Sequence, residues 1–181
     1  MAMVELKCRR LRLRPLGEKD ADALWRAVDE SRAVLRRRLR WVGGAGSVED
    51  ERRFIAAASR QGGRVTWGIF EAESERLAGV ASLDRGAADS RAQARFAIWI
   101  RADRQDRGYS TEAGRAMLGY AFRRLGCHRV FVRLAPANRA FRRVLKKLGF
   151  CYEGCLRDDK RLNGRWVDQE CWGLLRTEWK K

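Results

Sequence analysis

Gln105-Asp106-Arg107-Gly108-Tyr109-Ser110-Thr111-Glu112-Ala113 is the stretch on which the fold turns. It follows an apolar run that ends at Ile100. It opens a segment in which Ala113, Met117, Tyr120, Ala121 and Leu125 recur at helical spacing. The spacing predicts a helix over 110–125, closed by Gly126 at the usual place for a left-handed cap. The first turn of such a helix carries unpaired N–H groups and partial positive charge. A phosphate can use both. Gly108 lets backbone approach an anion closely; Arg104 and Arg107 add charge, and Ser110 and Thr111 add hydroxyls. Glu112 suits the helix dipole but does not help an anion. The same residues would also make an ordinary strand-to-helix turn. With no Gly-Lys-Ser/Thr and no GxGxxG, the turn is neither a P-loop nor a dinucleotide fingerprint.

Upstream, Leu6 to Leu13 reads as a first strand, ended by Arg14-Pro15. Asp20 to Val28 is helical, Ser31 is placed to cap a second helix through Leu35 and Leu39, and Gly43 to Gly46 is a loop. Ser47-Val48-Glu49-Asp50 fits a capping box before a third helix carrying Phe54 and Ile55. Val65 to Phe70 and Leu77 to Leu83 form a hairpin turning at Glu73-Ser74-Glu75, and Ala94 to Ile100 is a further strand. Downstream come a strand at Val130 to Val132, a helix from Arg139 to Leu148, and strands near Tyr152 to Leu156 and Val167 to Leu175. A strand-helix-strand unit after an antiparallel run implies a mixed sheet with helices on it. No repeat or low-complexity linker divides the chain, so residues 1–181 are read as a single domain.

Composition narrows the function. The 181 residues are 45% hydrophobic, enough for a core, and no apolar run approaches the ~20 residues that span a bilayer. The N-terminus lacks a signal-peptide core, so a cytoplasmic protein is expected. The five cysteines are expected to be reduced and mostly buried. With His128 as the only histidine, no metal site is expected. A net charge of +17 favours anionic partners. The 40 Lys and Arg residues are spread along the chain, densest at Arg36-Arg37-Arg38, with no separate basic tail.

Set in order, several short motifs resemble the GNAT superfamily of N-acetyltransferases, of the RimJ/RimL type (ribosomal-protein N-terminal acetyltransferases and relatives). The carriers are Leu11-Arg12-Leu13-Arg14-Pro15, Arg107 to Ala113, Tyr120-Ala121-Phe122, and Leu125-Gly126-Cys127-His128-Arg129-Val130. Pro136-Ala137-Asn138, Val144 to Phe150, Glu153 to Arg157, and Leu162-Asn163-Gly164-Arg165-Trp166-Val167-Asp168 complete the series, which runs from Arg10 to Leu175. The resemblance implies an α/β (α+β) GNAT fold: a mixed, mostly antiparallel sheet splayed at its fourth and fifth strands, with helices on both faces. It implies acetyl-CoA, or another acyl-CoA, as cofactor. The pyrophosphate would lie on Gln105, Arg107, Gly108, Tyr109, Ser110 and Thr111. Pantetheine would run along Ile98, Trp99 and Ile100 and past Asn138 and Phe141. Arg142, Arg143 and Lys147 would either reach the adenosine phosphates or form a solvated helix face. Ser110 departs mildly from the family's Gly/Ala, and Asp106 stands where glycine is frequent. An aspartate there must point to solvent or pair with Arg104 or Arg107. Leu35, Leu39, Arg40, Trp41 and Val42 match a region that walls the acceptor pocket.

The proton chemistry is less legible. Three positions that hold proton-handling residues in relatives carry Arg95, Phe141 and Lys160 instead. Asp159 and Asp168 are the nominated catalytic carboxylates, against structural readings for both. Cys127, Cys155, Tyr109 and Tyr152 are weaker candidate acids. An α-amino group titrates near 7.7–8.0 and lysine near 10.4, so at pH 7.5 the first is roughly 30% neutral while lysine loses about 4 kcal/mol to deprotonation. The expected reaction is acyl transfer to a primary amine by direct attack on the thioester, preferably to an α-amino group of a peptide, a protein N-terminus or a small molecule. The alternative is a catalytically degenerate CoA-binding protein that docks on RNA or the ribosome through its basic surface. A homodimer stays open, and no membrane partner is expected.

Overall fold

The computed structural model describes residues 4–37, 39–60, 62–86, 92–162 and 164–180. Arg38 of the arginine run, Asn163 of the Leu162-Asn163-Gly164 turn, and the first three residues lie outside the described residues.

Chain order is β1 (Leu6–Lys7), β2 (Leu11–Arg14), α1 (Ala21–Glu30), α2 (Arg32–Leu35), α3 (Val48–Arg60), β3 (Arg64–Glu71), β4 (Leu77–Asp84) and β5 (Gln93–Ile100). Then follow α4 (Tyr109–Arg123), β6 (Arg129–Leu134), α5 (Arg139–Lys147), β7 (Cys151–Leu162) and β8 (Arg165–Leu175). The strands make one sheet in the order β1-β2-β3-β4-β5-β6-β8-β7. The neighbours are antiparallel except β5 and β6, which are parallel. Helices α1 to α3 pack on one face with Phe70, Leu77 and Val80. Helices α4 and α5 pack on the other face with Trp67, Ile69, Phe96 and Trp172. Alternation along β3 divides these cores: Trp67 and Ile69 face one, Phe70 the other.

The expected first strand is instead the hairpin β1–β2, with Leu6 opposite Leu13. The chain bends at residues 8–10 because α4 pulls Arg10 toward it: Arg10 N–H donates to Glu112 Oε1 at 2.6 Å, and its Nε to Oε2 at 2.8 Å. This hairpin shifts the strand count, so the expected fourth and fifth strands are β5 and β6. Helix α2 is also shorter than expected. Ser31 sits at its N-cap position without a side-chain cap, since its Oγ accepts the Ala102 N–H at 3.0 Å. The last two strands are longer than the alternation suggested, with bulges between Tyr152 and Gly154 and between Leu156 and Lys160. At the start of α3 Ser47 Oγ accepts from Asp50 N–H, as the expected cap requires, while Asp50 Oδ2 accepts at 3.0 Å from the N–H of Gly46, one residue before the cap.

The splay is where the fold makes its site. Strand β6 pairs with β5 only at Gln93–Arg129, Ala94–Val130 and Arg95–Phe131. Beyond Arg95, β5 stays with β4 as far as Gly79–Ile100, while β6 stays with β8 as far as Leu134–Glu170. Phe96 fills the base of the V, its ring centroid 6.4 Å from Phe141 and 5.9 Å from Phe150. The freed edge of β5 has backbone N–H and C=O groups that lack a sheet partner on that side.

Candidate active site

The turn before α4 is built by backbone geometry. Gly108 caps the helix in the left-handed region, φ 79°, and its carbonyl accepts from Thr111 and Glu112 N–H at 3.1 and 3.0 Å. The N–H groups of Tyr109 and Ser110 have no partner inside the helix and point out of its N-terminus. Gln105 does not reach outward: its Nε2 donates to the Ile100 carbonyl at 3.2 Å and fastens the turn to the end of β5. Asp106 is also left-handed, φ 57°, which accounts for glycine suiting this position, and it is exposed to solvent. Glu112 is neutralised by Arg10 at 2.7 Å, so it does not oppose an anion with a full charge.

The turn faces a cleft of about 230 Å³ whose walls include β5 residues Ile98, Trp99 and Ile100, turn residues Gln105, Gly108, Tyr109, Ser110 and Thr111, and α5-side residues Asn138, Phe141, Arg143 and Lys147. Twelve of the fourteen residues expected at the cofactor meet there; Arg107 and Arg142 do not line it. Arg107 instead lies beside the Tyr109 hydroxyl, and Arg104 is held by Glu71 at 3.0 Å and Asp103 at 2.8 Å. Asn138 caps α5, its Oδ1 accepting Phe141 N–H at 3.3 Å, so the cap orients its side chain at the cleft wall. Arg142 turns away, bound to Glu170 at 3.1 Å and to the Pro136 carbonyl at 2.7 Å.

Gly79 is a part of the site that sequence reasoning missed. A Cβ there would collide with the Trp99 carbonyl oxygen and meet Ile100 Cα at 3.0 Å. Only glycine lets β4 lie this close behind the cleft wall, and the signal is tertiary.

The nominated acids and bases are engaged elsewhere. Asp159 pairs with Arg133 at 3.4 Å, and Asp168 accepts the Asp158 N–H at 3.0 Å; neither lines the cleft. Arg95 pairs with Asp84 at 3.2 Å. The Tyr109 hydroxyl donates to Glu71 Oε1 at 2.9 Å; burial and that carboxylate raise its pKa. Tyr152 is exposed and packs on Trp172. The cysteines are all free, but only Cys127 is buried; Cys151 and Cys155 are exposed on β7, correcting the expectation of mostly buried thiols.

A second cavity, of about 400 Å³, lies on the α1–α3 side and shares Leu39, Ile98 and Trp99 with the first. Trp41 belongs to it, 6.1 Å from Trp99 between ring centroids, whereas Val42 is fully buried core and lines neither cavity. Its acidic residues include Glu51, 3% exposed. The signal was present in the sequence: Glu51, Ile55 and Ala58 share one helical stripe, and a carboxylate on an apolar stripe is out of place.

Residues 10–151 match the family described as Acetyltransferase (GNAT) domain, and the chain belongs to that family. A probable N-acetyltransferase, YjcK, of Bacillus subtilis (strain 168) is 33% identical over 62% of this chain and 62% of its own length. The [ribosomal protein uS5]-alanine N-acetyltransferase of Escherichia coli (strain K12) is 27% identical over 66% of this chain and 62% of its own. The chain thus spans under two thirds of the length of these curated relatives. A solved ribosomal L7/L12 alpha-N-protein acetyltransferase, in complex with coenzyme A, superposes with a TM-score of 0.87 at 23% identity, covering 95% of this chain and 98% of that one. That likeness speaks for the fold. Among the described residues no helix is long and apolar enough to cross a membrane.

Proposed function

We infer that this chain is an acyl-CoA-dependent N-acyltransferase, with acetyl-CoA as donor and a primary amine, preferably an α-amino group, as acceptor. The observation that carries the reading is the meeting of two features in one cleft: a helix N-terminus capped by left-handed Gly108, and the unpaired edge of β5 where the sheet splays. The residues present fit such a cofactor. Tyr109 and Ser110 N–H groups suit a pyrophosphate, Arg143 and Lys147 add positive charge along the same wall, and the β5 edge suits the amide-bearing pantetheine arm. The bound cofactor supplies the acyl thioester. Free N–H groups on β5 near Ile98 or Trp99 then serve to polarise its carbonyl, stabilising negative charge on oxygen as the amine attacks. Phe141 and Trp99 give the cleft an apolar lining there. The preference for an α-amine follows from the absence of a base at Arg95, Phe141 and Lys160 and the lower pKa of that amine. The names of the uS5 and L7/L12 relatives support a protein N-terminus as one acceptor class. A cytoplasmic setting, with docking near ribosomal RNA and in monomeric or dimeric form, accords with the +17 charge.

Thiol release from acetyl-CoA across an amine panel tests this. Turnover with peptide α-amines at least about tenfold above lysine ε-amines is expected, and equal rates would remove the α-amine preference. The second reading, a CoA-binding protein acting through RNA, rests on the charge. It predicts RNA binding that falls steeply with salt and no amine-dependent thiol release.

A further inference from the structure

Glu51 sits where a carboxylate ordinarily does not. It is on the inward stripe of α3 with Ile55 and Ala58, 3% exposed, and its Oε1 has no hydrogen-bond partner among the described residues. Buried polar atoms are almost always hydrogen-bonded, so an unpartnered one in a cavity needs a reason. The neighbouring charges do not supply it. Asp50, which also lines the cavity, is committed to the α3 cap through Gly46 and Ser47. Arg32, from α2, directs its guanidinium to the Val42 and Ala45 carbonyls at 2.9 and 2.8 Å and to Asp29 at 3.0 Å. Arg64 reaches the cavity from β3.

The cavity has a definite chemistry. Its body is apolar and aromatic, with Leu24, Trp41, Phe54 and Trp99. Its polar lining is Asp50, Glu51, Arg64 and Ser82. At about 400 Å³ it is in the size range of small-ligand sites. It meets the cofactor cleft at Leu39, Ile98 and Trp99, the stretch of β5 where the thioester carbonyl belongs. Two carboxylates, Asp50 and Glu51, line it against the one guanidinium of Arg64, so in a protein of net charge +17 the cavity is a place that favours a cation.

We propose that this cavity holds the acceptor, a primary amine carried on an aromatic or branched apolar group of about amino-acid size, and that Glu51 pairs with its ammonium and takes its proton. This rests on the acyl-CoA reading above. The ammonium gives one proton to the Glu51 carboxylate. The neutral nitrogen then forms the N–C bond as the C–S bond breaks, and the departing thiolate takes up the second proton, leaving amide and free thiol. Glu51 is suited to this role, because burial first, and then Asp50, push its pKa up to about 7, against a smaller lowering by Arg32. A base near 7 is matched to an α-amine and poorly matched to lysine.

The experiment uses the full chain and Glu51→Gln, with phenylalaninamide, leucinamide and glycinamide as amines and acetyl-CoA as donor. In wild type, kcat/KM should favour phenylalaninamide and leucinamide over glycinamide by at least about tenfold and fall below about pH 7. Glu51→Gln should lower kcat/KM at pH 7 by roughly 10²-fold or more and move that acid limb up to the amine's own value near 7.7–8.0, while CoA affinity stays within about twofold. Glu51→Asp, which keeps the charge, should restore part of the rate and the acid limb. Without cofactor, phenylalaninamide should quench tryptophan fluorescence through Trp41 and Trp99, at least about tenfold more weakly in Glu51→Gln. Wild-type kinetics retained in Glu51→Gln, or amine binding indifferent to the substitution, would overturn the proposal. Loss of CoA binding in wild type would instead strike the cofactor reading, with the fluorescence titration still reporting on Glu51.

Discussion

Replacing Glu51 by glutamine should stabilise the fold at pH 8 and leave it nearly unchanged at pH 4. Burial raises the carboxyl from its ordinary 4.5 to about 7, so the folded protein holds a proton there that the unfolded chain has already lost. Between those values the native state binds more protons, and stability falls as pH rises through the window, reaching a plateau above about 7. The interval from 4.5 to about 7, at about 1.4 kcal/mol per pH unit, sets a cost of about 3 kcal/mol at pH 8. Glutamine has nearly the same shape and no charge, so the variant avoids that cost. The assay is urea unfolding of both proteins at pH 4, 6 and 8, with m-values checked for constancy. The difference should grow from near zero to about 3 kcal/mol, or roughly 6–12 °C in Tm for a domain of this size. A difference independent of pH, or a variant less stable than wild type at pH 8, would refute the argument that Glu51 is buried at an energetic cost.

Asp20 should behave in the opposite sense. Burial pushes its carboxyl up, but hydrogen bonds from Arg14 (2.8 Å to each oxygen) and the Gly17 N–H outweigh it and hold the pKa below 3.8. Its contribution is therefore present above the unfolded pKa and lost as pH falls through the folded one. Asp20→Asn should be destabilised at pH 7 by about 1–3 kcal/mol, with the gap to wild type closing in acid when both are compared by urea unfolding. Gly79→Ala should cost about 1–3 kcal/mol, because its Cβ must displace the Trp99 carbonyl, and should weaken CoA binding measured by calorimetry; unchanged affinity would mean that the cleft wall tolerates movement.

The phosphate-type turn was legible because its determinants are local: a glycine, a capping region and a switch of hydrophobic period lie close together in sequence. The splay was legible only by resemblance, since nothing in Ala94 to Ile100 says which strand leaves it. Three misreadings share one cause. The bend at Arg10, the missing side-chain cap at Ser31 and the diversion of Arg142 all involve long-range partners: Glu112, Ala102 and Glu170. A residue's own neighbours in sequence cannot report such partners. The hairpin of β7 and β8 was underestimated because β7 is exposed along most of its length, so no apolar alternation marks it. Glu51 follows directly on the Ser47–Asp50 cap and was not singled out from the sequence. Its place on the Ile55–Ala58 stripe was the distinguishing mark.

Calorimetric titration of CoA into wild type and Gly108→Val tests the central claim most directly. Gly108 is left-handed, and a side chain there costs about 1–2 kcal/mol in backbone strain and crowds the approach of an anion. Wild type should bind CoA, and more tightly than it binds dephosphorylated pantetheine, because the pyrophosphate meets the α4 N-terminus. Gly108→Val should remain folded and lose at least about tenfold in CoA affinity while pantetheine binding changes little. Absence of CoA binding at millimolar concentration in wild type, or equal affinity in the variant, would contradict the account.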